Sequence, residues 1–287
     1  MFGFVARHRG TWPVNVMCEA LGVSRSGFYA WRRRGQSRRA RTDAQILVTV
    51  RSSFVLSDRT YGVRRMLGDV RDAGHVCGRD RVGRLMRVEG LRARPRRRAR
   101  PVDRGVRSMH TLAENVLDRQ FTATAPNQKW VADFTCIWTS EGWIYVAVVL
   151  DLFSRRAVGW SMQATMTAEL VTDALTMAVW RRGASESLMH HSDRGSQYTS
   201  EAFQRLLTHL RLTCSMSRSG NVWDNSVMEA FFSTLKTERT ARQHYRTRNA
   251  ARADVFDFIE RWYNPTRRHS TLGNVSPANF ERGAAVA

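Results

Sequence analysis

Cysteine is scarce in this chain. Only Cys18, Cys77, Cys136 and Cys214 occur among 287 residues, far apart and never as a CxxC pair. That spacing excludes a zinc knuckle and a disulfide framework, and reads as separate thiols in a reducing compartment. No apolar run approaches the eighteen or so residues of a membrane span, and the opening MFGFVARHRG lacks a signal-peptide core. Lysine is nearly missing too: of 46 basic residues, only Lys129 and Lys236 are lysines. Acids are few, and 25 of them leave a net charge of +21 and a pI near 11.4. Such an excess points to a polyanionic partner and no membrane, in a cytoplasmic, nucleoid-associated protein. Arginine suits a bidentate grip on phosphate, although a genome biased toward arginine codons would look the same.

The charge is unevenly placed. Residues 1 to 110 hold 26 Arg against 8 acids, or +18, while residues 111 to 287 hold 20 basic and 17 acidic residues, or +3. The front third therefore makes the electrostatic contact. Within it, PVNVMCEALGVSRSGFYAWRRR places Val14, Met17, Ala20 and Leu21 near helical spacing, breaks at Gly22 and restarts at Ser24, an N-cap candidate. Residues 13–34 thus read as a helix-turn-helix. A second reads over 61–91, with Val63, Met66, Leu67 and Val70 on one face and Val82, Leu85 and Met86 on the next helix. Its arginines Arg79, Arg81, Arg84 and Arg87 stay free for solvent or phosphate in this reading, and Arg64, Arg65, Arg79, Arg81 and Arg84 are the expected DNA contacts. An ordinary amphipathic pair with solvated arginines gives the same pattern for either hairpin alone. RARPRRRARPVDRGVRS follows, dense in Arg and Pro without apolar periodicity, and reads as a basic linker or DNA-tracking arm within 92–120. The expected division is 1–91, the linker 92–120, and 121–287.

From residue 128 three short apolar runs, QKWVADFTCIW, GWIYVAVVLDLF and RRAVGWSM, read as an antiparallel meander. TAELVTDALTMAVWRR then carries helical spacing, and SESLMHHSD rises into a fourth strand. Meander, helix and strand together imply a mixed sheet covered by helices, an α/β layer fold. Asp133 lies inside the first strand, where an unpaired carboxylate is costly to bury. Asp193 lies at the carboxyl end of the fourth, where α/β sheets tend to put their chemistry, before a turn into a helix starting near Thr199. Glu229 projects from the first turns of a helix for which Asp224 looks like the N-cap. Carboxylates crowded at one end of a sheet repel unless divalent cations neutralise them, and Mg²⁺ takes carboxylate and phosphate oxygens together. Two such ions about 4 Å apart suit in-line displacement at phosphorus.

Taken singly, each acid has a plainer explanation: a satisfied buried Asp, a turn former beside Gly195, a surface glutamate. Asp151 begins a hairpin-like turn and reads as structural. His190 and His191 are adjacent in a strand, so they face opposite ways and at most one could join a site.

WVADFT, HHSDRGSQYTS and NVWDNSVMEAFFSTLKTE, with 35 residues between Asp193 and Glu229, resemble the Asp, Asp, Glu triad of the retroviral-integrase core. More narrowly they resemble the OrfB-type transposases of bacterial insertion sequences, the IS-three group. RWYNPTRRHSTLGNVSPANFE resembles that family's closing segment, and YGVRRMLGDVRDAGHVCGRDRVGRLMRVEGL its helix-turn-helix. The likeness spans residues 12 to 282. It implies an RNase H-like core with a mixed five-stranded sheet, preceded by an all-α region and closed by a helical tail. It implies a DDE transposase: Mg²⁺-dependent cleavage of DNA 3' ends, with Mn²⁺ able to substitute, and joining of the 3' hydroxyl without a covalent enzyme intermediate. Asp133, Asp193 and Glu229 would be both the catalytic residues and the metal ligands. Lys236, two turns after Glu229, would contact terminal DNA, with Arg194 and Asn225 also near the triad. The partners implied are the terminal inverted repeats and target DNA, an upstream OrfA product fused by frameshifting, and further copies of the chain on DNA. No sustained heptad repeat appears here. The segment before the glutamate reads VWDN where many relatives carry CYDN, which keeps the aromatic at Trp223.

A DNA-binding regulator derived from a transposase would keep the basic front third and could lose the acids, all three of which are present. An RNase H-type nuclease that only hydrolyses would share the core but has no evident need for the basic front third. Removing residues 1 to 108 is expected to weaken DNA binding and flatten its dependence on salt, because counterion release follows phosphate contacts. Affinity measured from low to high salt checks this, and an unchanged slope would contradict it.

Overall fold

Short amphipathic helices build the front of the chain. Phe2–His8 (α1), Val14–Ala20 (α2) and Arg25–Arg33 (α3) close around Val5, Met17, Cys18 and Phe28. Ser24 caps α3 as its position predicts, its Oγ accepting the Gly27 N–H at 2.8 Å. Arg38–Leu56 (α4), Val63–Asp72 (α5) and Arg79–Val88 (α6) bury Ile46, Val50 and Phe54 with Met66, Val70, Val82, Leu85 and Met86. The second predicted hairpin is α5 and α6, and α4 covers its apolar side. These coordinates come from a computed structural model, which describes residues 1–95, 113–183, 187–218 and 221–286. The chain divides into two compact units, Met1–Leu56 with Tyr61–Arg92, and Ser57–Thr60 with Ala93–Ala287.

The second unit is organised by strand alternation. Lys129–Thr139 (β1), Gly142–Asp151 (β2) and Ala157–Gln163 (β3) form the expected antiparallel meander. Ala168–Arg182 (α7) crosses over to Met189–Ser192 (β4), which runs parallel to β1. Glu201–His209 (α8) then leads to Thr213–Met216 (β5), parallel to β4. The order is β3-β2-β1-β4-β5, the mixed five-stranded sheet that the resemblance implies. Trp130, Ala132, Ala147, Val149 and Val158 face α7 and α8 in one apolar core. Val131, Val146, Val148 and Leu150 face the other, formed by Ser226–Glu238 (α9), Arg248–Asp257 (α10) and the π-helical turn Phe258–Tyr263. Pro277–Val286 (α11) ends the chain.

The closing segment braces the sheet rather than trailing from it. The Asn264 amide bonds both backbone groups of Ala157 at 2.9 Å, and Arg267 grips Glu238 with two 2.7 Å contacts, both side chains largely buried. Residues 113–120, placed in the linker by sequence, pack on the core through Leu117, whose N–H donates to Ser215 Oγ. Their apolar and hydrogen-bonding residues find partners that only the folded sheet brings near. Residues 96–112, most of the expected linker and basic arm, lie outside the described residues. Among the described residues no helix is long and apolar enough to cross a membrane.

Helix α7 lies so close to β3 that a Cβ on Gly159 would stand 2.2 Å from the Ala174 carbonyl oxygen and 2.7 Å from the Ala178 nitrogen. Backbone on both sides leaves no room to yield. Gly159→Ala should therefore destabilise the chain by about 3 kcal/mol, the upper part of the usual overpacking range. A lower urea midpoint at unchanged slope is the expected result.

Candidate active site

Asp133 shares the Val131 and Ile137 face of β1 by alternation, the face covered by α9, and its Oδ1 accepts the Phe134 N–H at 2.8 Å. Asp193 is the first residue past β4, with its Oδ1 accepting the Gly195 N–H at 2.9 Å. A Cβ at position 195 would stand 3.0 Å from that oxygen, so the tight turn favours glycine. The helix after it starts at Glu201, not Thr199, because Ser200 supplies the cap. Glu229 occupies the first turn of α9. That helix is tied to β1 beside Asp133, where the Asn225 amide donates to the Ala132 carbonyl at 3.1 Å.

Asp193 and Glu229 both act on Asp133. Asp133 is held well above the usual carboxylate range, first by burial and then by the charge of Asp193, with Glu229 adding to it. The Phe134 N–H and the Lys236 ammonium oppose that rise. Burial also raises Asp193, against the Gly195 hydrogen bond, and raises Glu229. Tyr198, buried against Phe134, His190 and Phe203, is pushed up by burial and by the charges of Asp133 and Asp193, so its phenol stays neutral. The structure thus brings Asp133, Asp193, Glu229 and Lys236 into one electrostatic neighbourhood. Among the described residues no three His, Cys, Asp or Glu side chains are drawn tightly enough together to enclose an ion.

Asp224 is not the cap of α9. It is fully buried, accepts from Arg119 and from three donors of Arg218 at 2.9 to 3.0 Å, and takes the Asn115 amide at 2.9 Å. These donors hold its carboxyl well below the ordinary range, Arg218 foremost and against the opposing effect of burial. A carboxylate out of water is better satisfied by two guanidiniums than by free helix N–H groups, and Asn225 takes the cap position without a side-chain bond. The single short 3-10 turn Val222–Asn225 therefore carries two ties, one to residues 115–119 and one to β1.

The integrase core domain family matches residues 123–222, a second integrase core domain family 210–277, and an HTH-like domain family 41–99. Transposase InsF for insertion sequence IS3A of Escherichia coli (strain K12) is 40% identical over 97% of this chain and 97% of its own length. The chain belongs to the IS3 family of insertion-sequence transposases. The insertion element IS600 uncharacterized 31 kDa protein of Shigella sonnei is 40% identical over 92% of this chain and 97% of its own. Among solved structures, the HTLV-2 integrase catalytic core domain in complex with magnesium superposes with a TM-score of 0.41 at 16% identity, covering 55% of this chain and 98% of that one.

The transposase's expected DNA-facing residues are divided by the structure. Lys236 and Arg64 are exposed, and Arg79 is exposed with Asp80 3.9 Å away. Arg194 is half-buried beside Asp193. Arg65 lies 5.5 Å from the Tyr61 ring centroid. Arg81 and Arg84 are not free as expected: both grip Asp43 of α4, Arg81 at 2.7 Å. Burial pushes the Asp43 carboxyl up, but the two guanidiniums outweigh it and leave it low. Asn225 is buried, its amide nitrogen taken by Ala132, and so links α9 to β1. His190 and His191 do face opposite sides, His190 against Phe203 and His191 between Ser215 and Ser217, and burial drops them to about 3 and about 4, so both stay neutral. Asp151 is structural, taking the Asn127 and Phe153 N–H groups at 2.7 and 2.8 Å.

Asp224→Asn should cost about 3 kcal/mol, because two guanidiniums lose the charge they enclose. A carboxyl lowered on folding adds stability above its unfolded value of 3.8, and that contribution is lost as pH falls through the folded value. The gap in stability between wild type and variant should therefore narrow below about pH 4. Denaturation at several pH values checks it, and a constant gap would contradict it.

Proposed function

We propose that this transposase cleaves the 3' ends of its element and joins them to target DNA at Asp133, Asp193 and Glu229. The observation that carries the reading is that Asp133, on β1, lies within reach of the charges of Asp193 just past β4 and of Glu229 and Lys236 on α9. The donor set fits a hard cation. It is all carboxylate, the two nearby histidines bond or pack elsewhere, and each acid is raised by burial in a way that a bound dication would relieve. Mg²⁺, or Mn²⁺ in its place, would polarise the attacking hydroxyl and neutralise charge on the leaving oxygen.

The chain's own residues then have separate tasks. Asp133 and Asp193 present carboxylate oxygens from the sheet, and Glu229 presents its own from α9. In cleavage a water oxygen bonds to phosphorus and the bond to the 3' oxygen breaks, leaving a 3' hydroxyl. In joining, that hydroxyl attacks a target phosphodiester and displaces another 3' oxygen. Lys236, exposed two turns along α9, would hold a terminal phosphate. The arginine-rich front third, +18 over residues 1 to 110, would grip the terminal inverted repeats. Several copies of the chain assembled on DNA, with an upstream OrfA segment fused by frameshifting, would complete recognition of the ends.

Asp133→Asn, Asp193→Asn and Glu229→Gln should each lower strand transfer by at least about a thousandfold while DNA affinity changes little. A labelled duplex carrying the element's terminal repeat, incubated with Mg²⁺ and target DNA, reads the joining, and filter binding reads the affinity. Near-wild-type joining by any variant would remove that residue from the site.

A further inference from the structure

Resting on that transposase reading, we propose that the Trp223 indole is a stacking surface for an unpaired base at the end of the DNA, and holds that end open beside the acids. Trp223 is 63% exposed, yet its backbone is fixed on both sides. Its own N–H donates to the Asn221 side chain at 3.2 Å, the next residue is the fully buried Asp224, and the one after is Asn225, bonded to the strand position before Asp133. The ring is therefore carried on an anchored turn and stands open to solvent. It stands six residues ahead of Glu229, on the short turn that leads into α9.

Exposure alone does not single it out, since Trp180 is 85% exposed near the end of α7. Trp180, however, belongs to a helix on the opposite face of the sheet from α9. Trp138 and Trp143 are exposed as well but cover each other edge to face at 4.8 Å. Among the described residues no aromatic ring packs on Trp223. Every base has an apolar face, so an exposed indole takes an unpaired base whatever its sequence. A paired end keeps each scissile phosphate on the outside of a stiff cylinder, whereas Asp133 lies within a strand and is only partly exposed. Opening the last pairs frees one strand to reach it, and stacking offsets the lost pairing.

The test uses the full chain and a duplex with the element's terminal repeat, carrying 2-aminopurine at the last pair on either strand in turn. Opening is read in chains that also carry Glu229→Gln, so that DNA stays uncut. The single variant should change the emission on binding, and adding Trp223→Phe should retain that change. Adding Trp223→Ala should abolish it. In otherwise wild-type chains, Trp223→Ala should join a paired end roughly tenfold or more slowly, and an end with mismatched last pairs at nearly the wild-type rate. Emission that is unaltered by Trp223→Ala, or absent with Trp223 in place, would overturn the proposal, as would slow joining that mismatches do not restore. Loss of all joining even in the wild type would instead sink the transposase chemistry, because the emission change does not depend on it.

Discussion

Asp133 lies partly buried in the field of two more carboxylates, Asp193 and Glu229, and the second unit fixes the elements that carry all three. None of them gains from the arrangement by itself: burial raises all three carboxyls, the charges of Asp193 and Glu229 raise Asp133 further, and the Phe134 and Gly195 N–H groups with the Lys236 ammonium offset part of the rise at the two aspartates. The scaffold must then over-determine their positions. β1 and β4 are adjacent and parallel, so the sheet fixes the two aspartates. α9 has no such constraint and is anchored at both ends, by Asn225 on Ala132 at its start and by Arg267 on Glu238 at its finish.

Asp224 shows how one buried charge can organise a neighbourhood. It draws Arg119, Arg218 and Asn115 to a single carboxylate, and so joins the segment before β1, the loop after β5 and the turn before α9. The contrast with Asp133 is instructive. Both are acids taken partly or wholly out of water, but guanidiniums lower the first against its burial, while burial raises the second and the charges of Asp193 and Glu229 add to it. A lowered acid stabilises the fold, and a raised one stores a need for positive charge that a cation can meet.

Much of this was legible in the chain. β1 to β3 could be read because their apolar residues alternate, and Ser24 because a cap is a local device. Asp193 could be placed because strand β4 ends at a serine followed by a glycine turn. Asp224 reads as a cap in sequence because Arg119 lies 105 residues away and Asn115 109 away, and nothing local marks Arg218, six residues before it, as its main partner. Arg81 and Arg84 looked free for the same reason, since Asp43 lies 38 and 41 residues before them. Helix α4 carries its own readable signal, Ile46, Val50 and Phe54 at four-residue spacing on its buried side. What sequence could not show is which of many arginines are already engaged, because that depends on pairings the folded chain alone creates.

The central claim is that these three acids form one cation-binding site. Anomalous diffraction from crystals grown with Mn²⁺ tests it most directly. The account predicts a manganese peak bound by oxygens of both Asp133 and Asp193 at about 2.1 to 2.3 Å, with Glu229 directed toward the same ion or its neighbour. A peak elsewhere, or none at millimolar Mn²⁺, would contradict it.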